Sequence, residues 1–417
     1  MRKLLISAFG CWPGRGSELG VGWEWCKQLA YDNELHIITI SRSQKDIEKH
    51  RDLLEPEVSK NMHFYYFDYS KYIMKFFPAG TSRWYFYYFI WQIGILKIAY
   101  KLSKKIKFDY SMHLTFGSVW LPCFISLLKI PFIWGPWGGC DTIPENYKMI
   151  SNSKKHSILS WAQSKRSWLV RHAYTIPFIK YNMDKACAIL VRTNNNYDAV
   201  PQKYHYKTHL ILETAMEPFP ISDIPKNKTT ENIKIVTTGR LISSKNLKTA
   251  IEAIALVYPQ KKVSYDIIGD GPERQLLSKL IEEKGLSDVI HLQKSIDRSL
   301  LLKKLPQYDV YLFPSLLEGG SWALMEAMGC ALPIICYNNA GMSTITNDTC
   351  AIRLSISDPV STISEMADAI LYLIENPSIR KRFGENARLR ILNDFNWGTK
   401  RIFMNNLFNH LNSNANA

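Results

Sequence analysis

The chain lacks three patterns that would each have indicated a distinct chemistry. It has eight cysteines but no C-x-x-C pair, so their spacing fits neither a zinc site nor a disulfide framework and predicts reduced, idle thiols. It has no D-x-D triplet of carboxylates. The apolar run at its N-terminus is short and is followed at once by Gly, Pro and Arg, which predicts a first β-strand rather than a secretory signal. We therefore expect a cytoplasmic protein.

Composition and charge narrow the class further. The chain has 417 residues, of which 46% are hydrophobic and 21% charged, and this excludes wholesale disorder, collagen-like repeats and a polytopic membrane protein. The net charge of +15 predicts an anionic partner, which is nucleic acid, a nucleotide-bearing substrate or an acidic membrane face. No nucleic-acid-binding module is recognisable, so we favour the last two partners.

Two similar patterns follow each other along the chain. Each has a short apolar run, a glycine-containing turn, a helical pattern and another apolar run; the runs are residues 4–8, 35–40, 233–237 and 265–268. This βαβ order predicts parallel sheets. We expect an α/β protein with two doubly wound domains, at 1–216 and 231–395, joined by a Pro-rich linker at 217–230. Ligands of such sheets bind at the carboxyl ends of the strands, so we expect them in the cleft between the domains.

Residues 310–329 carry the densest chemical pattern. A strand is expected to end near Phe313, and a helix to begin near Ser321, whose side chain is a good N-cap. Two carboxylates, Glu318 and Glu326, lie on either side of this helix start, which is a natural anion site. The pattern suits a ligand with phosphate in the middle and hydroxyl-rich sugars at its ends. A plain N-cap with two solvated glutamates explains the spacing equally simply.

A cationic pair follows the first strand of the second domain. Arg240 is able to grip a phosphate with two hydrogen bonds, and Lys245 adds a point charge. The alternative is two surface cations in an ordinary loop.

Together these segments resemble the C-terminal domain of glycosyltransferase family 4, whose members are retaining, nucleotide-sugar-dependent enzymes of the GT-B fold. The matching segments are 239–246, 269–273 and 318–328, in the family's order across about 235–345. Residues 14–22, 113–117 and 131–139 resemble segments of the family's first domain. Residues 395–397 and the helix after them resemble the tail, here 396–417, that crosses back to that domain.

The resemblance implies roles for the charged residues. Arg240 and Lys245 would bind the donor diphosphate and stabilise the charge that builds on it as the glycosyl bond breaks. Glu318 would accept hydrogen bonds from the donor sugar hydroxyls, and Glu326 would bind the ribose hydroxyls. His113, at the end of a strand-like run, would contact the donor sugar; otherwise it is a hydrogen-bonded packing residue.

Glycines and one serine would supply backbone contacts. The resemblance implies that N–H groups at Gly319, Gly320 and Ser321 support the phosphates, and that Gly16 approaches the donor phosphate and the acceptor. The family commonly has Phe or Tyr and then Pro where this chain has Gly320 and Ser321, so the donor choice stays open.

The missing D-x-D triplet predicts a reaction that needs no metal ion. Apart from the nucleotide-sugar substrate, we expect no cofactor. Two cations and a helix N-terminus would offset the diphosphate charge instead. The sequence also offers no obvious carboxylate nucleophile. Retention would then follow, as the resemblance implies, from front-face attack with the leaving phosphate helping to deprotonate the acceptor.

Residues 72–107 form an unusual aromatic and basic stretch. Aromatic side chains dominate its first half, and lysines its second half; they are Phe76, Phe77, Trp84, Tyr85, Phe86, Tyr87, Tyr88, Phe89, Trp91, Lys97, Lys101, Lys104, Lys105 and Lys107. The stretch fits a helix buried against the first sheet, or an in-plane surface for anionic lipid made by Phe76, Phe77, Trp84 and the lysines. A transmembrane span is disfavoured because tyrosine and tryptophan crowd its first half.

Together with the missing D-x-D triplet, the resemblance thus implies a retaining, metal-independent hexosyltransferase that uses a UDP- or GDP-sugar. Its acceptor would be a glycan or a lipid-linked sugar in the synthesis of capsule, O-antigen or exopolysaccharide, at the inner face of the cell membrane. A nucleotide-sugar epimerase of the same fold and a non-catalytic membrane scaffold remain as alternatives. The donor sugar, the base, the acceptor, the linkage and the oligomeric state are left open.

Overall fold

The computed structural model describes residues 1–77, 82–143, 168, 170, 172–217, 219 and 232–415. The described residues fall into two compact units. The first draws on Met1–Cys140, Leu169–Glu213 and Trp397–Ala417, and the second on Asp141–Trp168 and Thr214–Asn396. The predicted linker, 217–230, lies outside the described residues except at 217 and 219.

The first unit is built on a parallel sheet. Its strands are β1 (Arg2–Ser7), β2 (Asn33–Thr39), β3 (Met62–Tyr66), β4 (Tyr110–His113), β5 (Phe132–Trp137), β6 (Ala186–Val191) and β7 (Thr208–Leu210). Their order is β3-β2-β1-β4-β5-β6-β7, so the chain changes direction across the sheet between β1 and β4. The central strands are buried on both faces, which explains why they appear as continuous apolar runs in the sequence.

Helices cover both faces of this sheet. They are α1 (Ser17–Ala30), α2 (Gln44–Arg51), α3 (Pro56–Lys60), α4 (Lys71–Lys75), α5 (Ser82–Lys105), α6 (Pro177–Lys185) and α7 (Asn194–Asp198). The C-terminal helix, α15 (Trp397–Ala415), packs on α1, as the fold prediction required. Arg401 of this helix donates hydrogen bonds of 2.6 and 2.7 Å to the Asp32 carboxylate, and the Trp397 and Trp25 rings meet edge to face.

Helix α5 carries the aromatic stretch, and its two faces differ. Tyr87, Tyr88 and Trp91 are fully buried in the core of the first unit. Trp84 is also a core residue, because it is only 8% exposed and stacks on Tyr87. The expectation that Trp84 belongs to a lipid-facing surface is therefore wrong. Within the described residues, no helix is long and apolar enough to cross a membrane.

The second unit repeats the plan with six parallel strands. They are β8 (Ile233–Thr238), β9 (Val263–Ile268), β10 (Ile290–Gln293), β11 (Val310–Phe313), β12 (Ile334–Tyr337) and β13 (Ala351–Leu354). Their order is β10-β9-β8-β11-β12-β13, so the change of direction falls between β8 and β11. Strand β11 ends at Phe313, as the sequence pattern predicted.

The helices of the second unit lie between these strands and after the last of them. They are α8 (Leu247–Val257), α9 (Arg274–Glu283), α10 (Arg298–Lys304), α11 (Trp322–Gly329), α12 (Ala340–Ile345), α13 (Pro359–Glu375) and α14 (Pro377–Asp394). The apolar residues of helix α8 at 247, 250, 251, 254 and 257 have the spacing of one helix face, and all of them are buried. Both units are therefore doubly wound α/β structures, as predicted.

Candidate functional site

The candidate site of the second unit lies where β8 and β11 run side by side. In an open α/β sheet the crevice for a ligand opens where neighbouring connections leave in opposite directions, beyond the carboxyl ends of the strands. Here the loop after β8 holds Arg240 and Lys245, and the loop after β11 holds Glu318. Parallel pairing of β8 with β11 therefore puts these two loops at the same edge of the sheet.

Glycines allow the loop after β8 to take its path. Gly239 has φ +142°, a conformation that side-chain-bearing residues rarely adopt. A Cβ atom on the neighbouring Gly269 would lie 1.8 Å from the Gly239 carbonyl oxygen, so the loops after β8 and β9 touch through bare backbone. Lys245 then ends a short 3-10 turn, Ser243–Lys245, and Asn246 turns the chain into α8 with φ 49°.

Lys245 and Glu318 form an ion pair. The Lys245 Nζ atom lies 2.5 Å from Glu318 Oε1, and the two side chains are 12% and 23% exposed. The Lys245 ammonium also lies 4.9 Å from the centre of the Phe313 ring, a cation–π distance. A half-buried pair of this kind is screened less by salt than an exposed one. The alternative of a solvated glutamate therefore does not hold for Glu318, and the alternative of a surface cation does not hold for Lys245.

Arg240 is placed differently. Its side chain is exposed, and within the described residues it makes no hydrogen bond or ion pair. It stands one residue after Gly239 on the loop that ends in Lys245. Because the Arg240 guanidinium has no such bond to give up in the described part of the chain, it is ready to bind an anion with two parallel hydrogen bonds.

The loop that holds Glu318 is clamped by backbone contacts. The Gly341 N–H donates a 2.7 Å hydrogen bond to the Glu318 carbonyl oxygen. A Cβ atom on Gly341 would lie 1.7 Å from the Gly319 carbonyl oxygen, so only glycine fits there. Asn339 adds a 2.9 Å hydrogen bond from its side-chain amide to the Leu316 carbonyl oxygen. The position of Glu318 is thus fixed from outside its own loop.

Gly320 stands where the resembling family has an aromatic residue, and the structure gives a physical reason. A Cβ atom on Gly320 would lie 2.1 Å from Thr214 Oγ1, and Thr214 is itself only 4% exposed. An aromatic side chain therefore has no room at this position. The space that an aromatic side chain would need is occupied by Thr214, which the sequence alone did not single out.

Ser321 caps the helix that follows this loop. Its hydroxyl oxygen accepts a 3.4 Å hydrogen bond from the Leu324 N–H, which confirms the predicted helix start. The cap satisfies one first-turn donor of α11, and a helix N-terminus presents several such N–H groups. These donors and the helix dipole favour an anion at Gly319–Ser321.

Glu326 is buried in α11 and pairs with a residue that the sequence analysis missed. Glu326 is 6% exposed, and its Oε1 atom accepts a 2.5 Å hydrogen bond from Arg298 Nε. Within the described residues no group donates to Oε2. Burial raises the pKa of Glu326, whereas the Arg298 guanidinium opposes that rise. The only available signal for Arg298 was its position shortly after β10.

His113 ends β4 in the first unit, beside Ser7 at the end of β1. The ring is 3% exposed, and burial lowers the pKa of His113 to about 4. Nε2 lies 2.8 Å from the Tyr88 hydroxyl, which itself donates to the Pro122 carbonyl oxygen, and Nδ1 lies 3.2 Å from Ser7 Oγ. These partners fit a neutral ring that donates from Nε2 and accepts at Nδ1.

Gly16 precedes α1 in the first unit. It is exposed, takes an extended conformation and gives the helix no side-chain cap. Glu18, in the first turn of α1, accepts a 3.1 Å hydrogen bond from the Gly117 N–H and pairs with Arg192 at 3.3 Å. Arg192 also pairs with Glu213 at 3.2 Å. This ion-pair network was not predicted, because its members come from four separate segments.

Comparison with known proteins agrees with this architecture. Residues 218–390 match the family described as glycosyl transferases group 1. The alpha-D-kanosaminyltransferase of Streptomyces kanamyceticus is 25% identical over 232 residues, which cover 53% of this chain and 57% of that protein. The chain spans about half the length of the curated relatives it matches.

Solved structures extend the likeness to the whole fold. Sucrose-phosphate synthase from Thermosynechococcus elongatus aligns with a TM-score of 0.65 and 15% identity over 99% of this chain and 100% of that one. The Anabaena protein HepE in complex with UDP aligns with a TM-score of 0.61 and 14% identity over 98% and 100%.

The fold of this chain is therefore GT-B, the architecture of two Rossmann-like units found in many glycosyltransferases. Residues 218–390 of the second unit match the glycosyl transferases group 1 family, and the curated relatives named in the comparison carry glycosyltransferase names. The predicted GT-B fold is confirmed, and the resemblance of the second domain to glycosyltransferases agrees with the group 1 match over residues 218–390.

Proposed function

We propose that this chain is a retaining hexosyltransferase that needs no metal ion and transfers a sugar from a UDP- or GDP-sugar to a glycan or lipid-linked acceptor. The observation that carries the proposal is the ion pair between Lys245 and Glu318, which lies beside the N-terminus of α11 at the switch point of the second sheet. The group 1 family match and the UDP bound by the Anabaena neighbour support a nucleotide-sugar donor.

The proposed donor would rearrange this ion pair. A diphosphate carries negative charge that competes with the Glu318 carboxylate for the Lys245 ammonium, and the exposed Arg240 adds a second cation. Released from Lys245, Glu318 would accept hydrogen bonds from the sugar hydroxyls. The backbone of Gly319–Ser321 would take the phosphate, and Oε2 of Glu326 the ribose.

Charge stabilisation at the leaving diphosphate is the proposed source of catalysis. As the glycosyl bond breaks, negative charge grows on the phosphate oxygens, where preorganised cations and a helix N-terminus stabilise the transition state most. The leaving phosphate would then accept the acceptor's proton on the same face. The product would keep the anomeric configuration of the donor.

His113 would have to exchange a partner to contact the donor sugar. Its Nε2 faces the Tyr88 hydroxyl at 2.8 Å, and its neutral ring is a hydrogen-bond donor rather than a cation. A sugar hydroxyl would replace Tyr88 at Nε2. Gly16, with no side chain in the way, would let backbone approach the donor phosphate and the acceptor.

The acceptor is proposed to be presented at an anionic membrane surface. One solvent-exposed stripe of α5, which we call the outer face of α5, carries Phe86, Phe89, Ile93, Lys97, Tyr100, Lys101 and Lys104. The spacing of three or four residues puts aromatic and basic side chains on one side of the helix. Inserted aromatics and lysines near anionic headgroups together suit reversible attachment. A role in surface polysaccharide synthesis follows from such an acceptor.

Radiolabelled UDP- and GDP-hexoses, incubated with the full chain in the presence or absence of membrane lipid extract, test this function. We expect label in an extractable lipid product, with the donor's anomeric configuration in its NMR spectrum. Lys245→Met should abolish transfer, whereas Lys279→Met, at an exposed lysine of α9, should not. If the donor sugar is epimerised or hydrolysed when no acceptor is present, the chain is a nucleotide-sugar epimerase. If no donor is turned over, the result favours the non-catalytic membrane scaffold.

Liposome sedimentation tests the membrane contact separately. Each lysine near an anionic surface contributes about 1 kcal/mol, so reversing Lys101, Lys104 and Lys105 to Glu should weaken binding by on the order of 100-fold. The matched control reverses Lys262, Lys279 and Lys381 in the second unit and should bind as the wild type does. Wild-type protein that stays in the supernatant with anionic liposomes at low salt would refute this contact.

A further inference from the structure

Three potential metal ligands meet on the first sheet, away from the site described above. Glu34 and His36 are two residues apart on β2, so their side chains leave the same face of the strand. His63 of β3 is the register partner of His36. One ligand atom from each of the three residues lies within 4.8 Å of the other two. Within the described residues this is the one group of three His, Cys, Asp or Glu side chains that close together.

The contacts within the cluster already resemble those of a metal site without its ion. His36 Nε2 lies 2.9 Å from Glu34 Oε1, and His63 Nε2 lies 3.9 Å from the same oxygen. The two imidazole rings stack with their centres 4.8 Å apart. Ligands around a tetrahedral zinc ion at about 2.0–2.1 Å are a little over 3 Å apart, so modest side-chain rotations would close the cluster around an ion.

The other nitrogen of His36 has the partner that a metal-binding histidine needs. Nδ1 lies 3.0 Å from the Tyr65 hydroxyl. With a metal on Nε2, the ring proton moves to Nδ1 and is donated to the Tyr65 oxygen, which fixes the tautomer and the ring orientation. Burial also lowers the pKa of His36, which keeps its ring neutral and able to coordinate.

The exposure of the three residues leaves room for solvent on one side. His36 is only 4% exposed, but the His63 side chain is 46% and the Glu34 side chain 23% exposed. An ion held by two imidazoles and one carboxylate would thus keep a position for water. Lys3 Nζ lies 3.3 Å from Glu34 Oε2. An incoming metal ion would either displace this ammonium group or share the Glu34 carboxylate with it.

We propose that Glu34, His36 and His63 form a binding site for a divalent transition-metal ion such as Zn²⁺. Two imidazoles and a carboxylate suit Zn²⁺ and its neighbours, whereas Mg²⁺ and Ca²⁺ prefer sites made of oxygen alone. The ligands stand at the second and fourth residues of β2 and at the second residue of β3, away from the carboxyl ends where ligands of α/β sheets bind. The ion therefore joins the edge strand β3 to β2 and takes no part in transfer.

Calorimetric titration of the metal-free full chain with ZnCl2, in a buffer that does not chelate, tests the site. We expect the wild type to bind one equivalent of zinc. The Kd for this zinc ion should be at least tenfold higher in His63→Ala and in Glu34→Gln. Both substituted residues are accessible to solvent, so neither change empties the core. His291→Ala removes another exposed histidine that lies 3.3 Å from a carboxylate, Asp266, and should leave this equivalent unchanged.

Two further readouts separate a site from loose adsorption. Protons compete for imidazole, so the affinity should fall as the pH is lowered from 7.5 to about 6. Zinc should raise the midpoint of thermal unfolding of the wild type but not of His63→Ala, because an ion that binds only the folded chain stabilises it. The proposal would be overturned if His63→Ala bound zinc with the Kd of the wild type. It would also be overturned if His291→Ala lost zinc binding to the same extent as His63→Ala.

Discussion

Glu326 offers the sharpest test of the proposed donor site. Glu326→Gln keeps the size of the side chain and removes its charge. A hydrogen bond to a charged group contributes about 1.5–3 kcal/mol and a neutral one about 0.5–1.5 kcal/mol. The loss at the ribose should therefore be about 1–1.5 kcal/mol, which weakens nucleotide binding by roughly tenfold.

The stability of the folded chain should respond in a different way. The Glu326 carboxylate is buried, and its burial already disfavours the charged form, so a neutral amide removes that cost. It also weakens the 2.5 Å contact from Arg298, whose side chain is 55% exposed and free to turn towards water. We expect these two changes to offset each other, so the midpoint of thermal unfolding should stay close to that of the wild type.

Calorimetric titration with UDP and with GDP measures the first effect, and thermal unfolding without nucleotide measures the second. Glu385→Gln, at an exposed glutamate of α14, is the matched control and should change neither quantity. If Glu326→Gln binds the preferred nucleotide within twofold of the wild type, Glu326 does not bind the ribose. If it unfolds much earlier at unchanged affinity, the pair with Arg298 has a structural role only.

Three further predictions concern charge and protons. Arg240→Ala should lower activity at subsaturating donor at least tenfold without changing the unfolding midpoint, because the Arg240 side chain is exposed and has no partner in the part of the chain that the structure describes; near-normal turnover would contradict its role. Transfer should persist in excess chelator, because in the proposed donor site Arg240 and Lys245 would offset the diphosphate charge without a metal; a loss that Mg²⁺ restores would refute this. Burial lowers the pKa of His113 to about 4, below the unfolded value of about 6.5, so the unfolded state binds the proton first as the pH falls. Through His113 alone, the free energy of unfolding should thus fall by about 3 kcal/mol between pH 6.5 and pH 4, because only the unfolded state takes up this proton. Urea unfolding of His113→Asn should lack that part of the pH dependence.

Local sequence rules determined the framework of this protein. Strand β11 ends at Phe313 and α11 begins after Ser321 as predicted, because turn glycines, an N-cap serine and apolar spacing act over only a few residues. The strand and helix patterns repeated in each half were enough to predict two parallel sheets. The ordered motifs of residues 239–328 lie within the segment that matches the glycosyl transferases group 1 family. The resemblance also placed the charged residues of the proposed donor site in one unit.

The partners of those residues were decided by tertiary structure. Glu318 meets Lys245, and Glu326 meets Arg298, because parallel pairing puts loops that are distant in sequence at one edge of the sheet. No local pattern records which of two cations a given carboxylate will face.

The faces of long elements were also decided by packing. Trp84 and Phe86 stand two positions apart on an aromatic helix, yet the first is core and the second is 57% exposed. Where nearly every position is aromatic, the helical period gives no hydrophobic contrast, so the side that faces the sheet follows from the fit against its neighbours. His36 and His63 met for a related reason, since strand register, which the sequence leaves open, makes them partners.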